Sequence, residues 1–95
     1  SDERLKTNVT PILDSLNKIG EIQGYEYDWI ENEHHTNTGH DIGVIAQEIE
    51  KIAPEAVTTR DNGYKAVKYE KLIPILIQAI KELNDKVKQL EDVHR

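Results

Sequence analysis

From Ile73 onward the apolar residues of this chain recur at alternating steps of three and four: Ile73, Leu76, Ile80, Leu83, Val87 and Leu90, with Tyr69 before them and His94 after. That is the a/d pattern of a coiled coil, with isoleucine or valine at a and leucine at d. Pro74 is tolerated only in a first turn, so the spacing predicts a helix starting near Glu70. Near its start Leu72, Ile75, Ile77 and Ala79 widen the stripe beyond a and d. The first turns are therefore expected to pack on both the body of the chain and sister helices. Past Lys81 the upstream body is too small to cover the stripe, which predicts self-association. The a/d residue types favour two strands and the wide early stripe favours three or more, so the pattern alone leaves the number open.

Composition explains why such a chain needs partners. Ninety-five residues without Cys, Met or Phe must build a core mainly from Ile, Leu and Val. A core of that size is marginal alone, and oligomerisation is a common remedy. The absence of cysteine excludes disulfide staples and thiolate metal sites and fits a reducing compartment. A net charge of −6 argues against non-specific binding to nucleic acid or an anionic membrane surface. The chain shows no signal-peptide pattern and no apolar run long enough to span a bilayer.

Upstream of the stripe the reading is α+β. Thr7 to Ile19 is expected to form a short helix capped by Asn8 or Thr10, with Pro11 in its first turn and Gly20 ending it. Gln23 to Ile30 alternates as a strand, with Tyr25, Tyr27 and Trp29 on one face. Glu31 to Asp41 reads as a polar surface loop, followed by a more buried strand at Ile42–Ile45. A helix from Ala46 to Ile52 is stopped by Pro54. Asp61-Asn62-Gly63 then turns a hairpin between Ala56–Thr59 and Tyr64–Tyr69. The chain is expected to be one domain over residues 1–95, with 1–69 as a compact body and 70–95 as the coiled-coil helix.

Few residues stand out as chemistry. Glu31, Glu33, His34, His35, His40 and Asp41 invite a metal hypothesis, but adjacent His34 and His35 diverge in an extended segment and no matching ligand spacing lies elsewhere. A solvated loop is the better reading, with no metal site. Glu48, Glu50, Lys51, Lys81, Glu82, Asp85 and Lys86 look like ordinary solvated helix pairs. No phosphate-cradling glycine loop or nucleophile elbow is present. Ser1 and Lys6 are a possible nucleophile and amine base, because a lysine shielded from water can take a serine proton. Taken alone, that pair is more simply an exposed arm.

Several landmarks in order change that weighting. They are Ser1-Asp2-Glu3-Arg4-Leu5-Lys6, Gly24-Tyr25-Glu26-Tyr27-Asp28-Trp29, Ile42-Gly43-Val44-Ile45-Ala46-Gln47-Glu48-Ile49, Ala53-Pro54-Glu55-Ala56-Val57 and Val67-Lys68-Tyr69-Glu70-Lys71-Leu72-Ile73-Pro74. The series resembles the intramolecular chaperone, or S74 peptidase, domain at the C-terminal end of bacteriophage tail fibres, tail spikes and neck appendages, over essentially the whole chain. The resemblance implies a homotrimer that registers the chains of an upstream fibrous or β-helical domain and then cuts itself off before the motif's serine. It makes Ser1 the nucleophile and Lys6 the base of a single-turnover serine endopeptidase, leaving this chain as the released, inactive product. His40 lies where phage members often carry a supporting histidine, and Asp2, Arg4 and Gln47 match recurrent motif positions. No cofactor is implied. The implied partners are further copies of the chain and the upstream part of the same polypeptide, not nucleic acid or membrane. Assembly is expected in the cytoplasm of an infected bacterium, with the parent protein in the virion tail or appendage.

Three other readings remain distinct. A permanent trimerisation module or adhesin tip would share the stripe but never cut. Related self-releasing domains of cellular proteins would differ only upstream of Ser1. A metal-dependent regulatory domain built on the histidine loop would have to retain metal after chelation.

Overall fold

In the computed structural model, which describes residues 1–93, a 3-10 turn at Glu3–Leu5 opens the chain. Helix α1 (Ser15–Gly20) follows, then strands β1 (Tyr25–Asp28) and β2 (His40–Gly43), helix α2 (Ala46–Ile52), strands β3 (Val57–Thr59) and β4 (Lys65–Val67), and the long helix α3 (Ile73–Val93). The fold is α+β, with short helices, two antiparallel two-stranded sheets and one long terminal helix. The last position of the heptad pattern, His94, lies outside the described residues.

The core is small and sits where α2 meets the start of α3. Ile49, Ala53, Ala56, Leu72 and Ile75 are buried together, ringed by Ile12, Ile19, Ile22, Val44, Ile52, Val57 and Val67. Pro54 does end α2, passing into a 3-10 turn at Pro54–Ala56. Gly63 takes φ +86°, which a residue with a side chain adopts only under strain, and this closes the β3–β4 hairpin. Pro74 stands in the first turn of α3, where its missing N–H loses no bond.

The first helix is shorter than its sequence suggests. It starts at Ser15, not Thr7, because Asn8 and Asp14 both take left-handed backbone (φ 54° and 58°) that a helix cannot pass through. Neither Asn8 nor Thr10 caps it, and Pro11 lies before it. Asp14 occupies the cap position without an ordinary cap, since its carboxylate accepts from the Asn17 side-chain amide at 2.6 Å. The cap comes from α3: one oxygen of Glu82, Oε2, accepts the backbone N–H groups of Ser15 (2.8 Å) and Leu16 (3.1 Å). Ser15 is completely buried, so water cannot take that place. Each donor left orphaned would cost about 1–3 kcal/mol.

Other carboxylates read as local helix pairs also have distant partners. Tyr25 donates its hydroxyl to Glu48 at 2.7 Å, and Lys65 Nζ donates to both oxygens of Glu50 at 2.9 and 2.7 Å. These contacts pin β1 and β4 to α2. Helix spacing reveals only neighbours three and four residues away, so it missed them.

The second strand is also displaced. It spans His40–Gly43 rather than Ile42–Ile45, and it is not buried: Ile42 is 71% exposed. A two-stranded sheet with nothing packed on that face leaves the isoleucine open. Its register pairs Tyr25 with Gly43, Tyr27 with Asp41, and Asp28 with His40. The polar loop therefore ends before His40, and His40 and Asp41 belong to the sheet. The predicted first strand is shorter than expected, but Tyr25 and Tyr27 do share its more covered face.

Candidate functional site

Two regions present unpartnered chemistry, and both ends of the chain supply one. At the N-terminus Asp2 accepts the Arg4 backbone N–H at 2.9 Å and holds the Arg4 guanidinium through Nε (3.1 and 3.2 Å) and Nη2 (2.7 Å). The guanidinium beside it holds the Asp2 carboxyl below the usual carboxylate range. Leu5 and Lys6 donate their N–H groups back to Asp2 and Glu3 carbonyls, so residues 2–6 form a turn without help from the body. Ser1 and Lys6 flank that turn. Both are exposed, and among the described residues no hydrogen bond joins them to each other, to His40 or to Gln47. A lysine acting as base needs shelter from water, and this arm provides none for Lys6. Leu5 and Val9 also stand open, at 86% and 74% exposure.

At the other end α3 has two apolar faces. Ile75 and Ala79, together with Leu72 from the 3-10 turn Tyr69–Leu72 that leads into the helix, are buried on the body, with half-buried Glu82 continuing the row. The heptad residues Ile73, Leu76, Ile80, Leu83, Val87 and Leu90 lie on the other face, with exposures between 44% and 66%. Ile77, grouped with the early stripe, is half exposed as well. From Leu83 to Val93 every residue is exposed, so the second half of α3 runs clear of the body. Six large aliphatic residues lined up in solvent form a surface that soluble chains normally cover.

The sheet β1–β2 carries an ionic cluster that the sequence did not disclose. His40 lies opposite Asp28 and diagonal to Glu26 on one face, and its ring nitrogens meet both: Nδ1 is 3.0 Å from Asp28 and Nε2 is 3.3 Å from Glu26. With a carboxylate at each nitrogen, the doubly protonated ring is the fitting form. Asp28 first, then Glu26, and more weakly Asp41, raise its pKa above the usual imidazole value. The alternation Glu26-x-Asp28 on a strand was the available signal; the register was the missing piece. On the opposite face Trp29 Nε1 donates to Asp41 at 3.0 Å. Gln47 is exposed at the start of α2, beside an open cleft of about 880 Å³ whose aromatic walls include Tyr27, Trp29, Tyr64 and Tyr69.

The sign of the His40 effect is testable. Its pKa is raised on folding, so its contribution is complete below the unfolded value, about 6.5, and disappears as pH rises through the folded value. The melting temperature of the wild-type chain is expected to fall relative to His40→Gln as pH goes from about 6 to 9. Parallel melting curves across that range would refute the clamp.

The histidine loop does not gather ligands. Among the described residues no three His, Asp or Glu side chains converge as a metal set. His35 already uses both ring nitrogens, Nε2 donating to the Ile30 carbonyl at 2.7 Å and Nδ1 accepting from Asn37 N–H at 3.0 Å.

Comparison with known proteins bears on the arm first. Residues 1–58, from Ser1 through the start of the second hairpin, match the model of the S74 peptidase family, described as the chaperone of endosialidase. The chain belongs to this family. At the level of the family, membership in S74 brings self-cleaving serine peptidase activity and a chaperone role. Long tail fiber protein Gp37 of Enterobacteria phage K3 is 34% identical over 95 residues, covering 96% of this chain and 8% of that protein. The same-named protein of phage T2 is also 34% identical, with 7% of its length covered. That of phage M1 is 29% identical over 96 residues, with 38% covered. The S74 chain thus spans between 7% and 38% of the length of these phage tail fibre proteins. No helix among the described residues is long and apolar enough to cross a membrane.

Proposed function

We propose that this chain is the C-terminal intramolecular chaperone of a phage tail fibre, spike or appendage protein. Three copies associate along α3, bring three upstream chains into register, and are then released by a cut before Ser1. The observation that carries this reading is the open aliphatic row on α3, facing away from the body and running past its end. Long β-rich chains pair slowly and aggregate when out of register. A small domain that trimerises first raises the effective concentration of the attached chain ends. In this reading residues 1–69 form the body and the helix from residue 70 forms the seam. Assembly takes place in the infected host's cytoplasm, and the parent ends in the virion tail.

The cut follows from serine chemistry. Lys6, shielded and neutral, takes the Ser1 hydroxyl proton as Oγ attacks the carbonyl carbon of the preceding residue. The C–N bond breaks, the nitrogen takes up the proton as the Ser1 amino group, and the acyl group is left on Oγ as an ester. Water cleaves the ester, leaving a carboxylate on the fibre and restoring Ser1. The exposure of Ser1 and Lys6 in the lone chain, with no hydrogen bond between them, supports a site completed by assembly, with His40, Asp2, Arg4 and Gln47 as supporting residues.

The test is a version of the chain extended upstream of Ser1 by its parent fibre. Mass spectrometry is expected to find a released fragment starting at Ser1, and light scattering to find both products trimeric. An intact but trimeric parent would favour a permanent trimerisation module. Lone, uncut molecules would remove the proposal altogether.

A further inference from the structure

We infer that Glu82 is a positioning residue for the cut before Ser1: by capping α1 it fixes, on the seam-bearing helix itself, the point from which the N-terminal arm departs. The inference rests on the function proposed above and adds a coupling between the seam and the cleavage motif. Residues 1–11 are exposed throughout, and Ile12 is the first to touch the core. Helix α1 is therefore the first element that anchors the arm, and it packs more extensively on α3 than any other two elements pack on each other.

The first turn of that anchor depends on one side chain. Left-handed Asp14 turns its carboxylate to Asn17, so it leaves the first N–H groups of α1 without a local acceptor. Glu82, reaching across 67 residues of sequence, accepts both with a single oxygen. Ser15 is completely buried and its Oγ has no hydrogen-bond partner among the described residues, so water does not reach this point to replace the carboxylate. Glu82 continues the body-facing row Leu72, Ile75 and Ala79, away from the heptad face. Its loss should therefore loosen the arm's exit while leaving the seam intact. Without the cap, the first turn of α1 frays at Ser15 and Leu16 while Ile12 and Ile19 still touch the core, so the arm stays attached but loses its fixed exit direction, and Ser1 loses its alignment for the cut.

Glu82→Ala in the upstream-extended chain is expected to remain trimeric by light scattering and to be cut at least fivefold more slowly. Glu82→Gln keeps one carbonyl oxygen, which is all the cap uses, and should restore most of the rate. In the 95-residue chain, hydrogen exchange at the Ser15 and Leu16 amides should accelerate at least tenfold in Glu82→Ala, with β3–β4 unchanged. Unaltered cutting in a Glu82→Ala trimer would overturn the inference, as would loss of the trimer, global unfolding or unchanged exchange at those amides. If even the wild-type parent is not cut, the proposed function fails, and the exchange experiment still decides whether Glu82 anchors the arm.

Discussion

Leu83→Asp is expected to convert the proposed trimer to monomers and leave the upstream-extended parent uncut. Leu83 stands half exposed at a d position, midway along the heptad face and just where α3 leaves the body. In the assembled seam the exposed half of its side chain would be buried, contributing about 1 kcal/mol per chain. Aspartate removes that contribution and brings three carboxylates together near the axis, where each unpaired buried charge costs several kcal/mol. The combined penalty exceeds about 10 kcal/mol per trimer, comparable to the whole free energy of a micromolar assembly. The body should survive, because its core lies on the other face of α3 at Leu72 and Ile75. Equilibrium sedimentation should find a monomer with α2 and the hairpins still protected from exchange, while Lys81→Glu, off the seam, remains trimeric. Fully processed Leu83→Asp trimers would remove α3 from the mechanism.

The two faces of α3 also indicate how much the residues disclosed unaided. The heptad row and the residues that widen its first turns were visible in the sequence, because helical period is a local property, but which of them face the body was not: Leu72, Ile75 and Ala79 are buried and Ile77 is half exposed. The Tyr25/Tyr27/Trp29 alternation, the Pro54 stop and the turn at Asn62-Gly63 were legible for the same reason: each depends on a few adjacent residues. What escaped depends on distant parts of the chain. The start of α1 was misplaced because Asn8 and Asp14 take left-handed backbone, and the cap that makes Ser15 a workable start comes from Glu82. Ile42 seemed a core residue by composition, yet no second layer covers its sheet face. His40 seemed a loop residue because the register that sets it between Asp28 and Glu26 cannot be read from either strand alone. The motif Ser1 to Lys6 was recognisable as a string, but in the lone chain both side chains are exposed and no hydrogen bond joins them.

The exposure of both side chains makes complementation the sharpest experiment on the proposed cut. Ser1→Ala removes the nucleophile outright and should abolish cleavage in the parent. Lys6→Ala removes the base, a loss of about 10²–10⁴-fold in rate. Each alone should trimerise normally, since neither residue touches the heptad face. Co-expressed, the two variants form mixed trimers in which a Lys6→Ala chain retains its serine and a Ser1→Ala neighbour retains its lysine. The Asp2–Arg4 pairing and the backbone turn hold the motif in a shape that leaves both side chains in solvent. In the proposed assembly a neighbouring protomer would supply the sheltered amine. In a cyclic trimer each chain takes its lysine from one defined neighbour, so random equal mixing should let about half of the Lys6→Ala chains be cut. All Ser1→Ala chains should stay whole. Complete resistance of mixed trimers would mean instead that the arm folds back on itself once assembled, with both groups supplied by one chain.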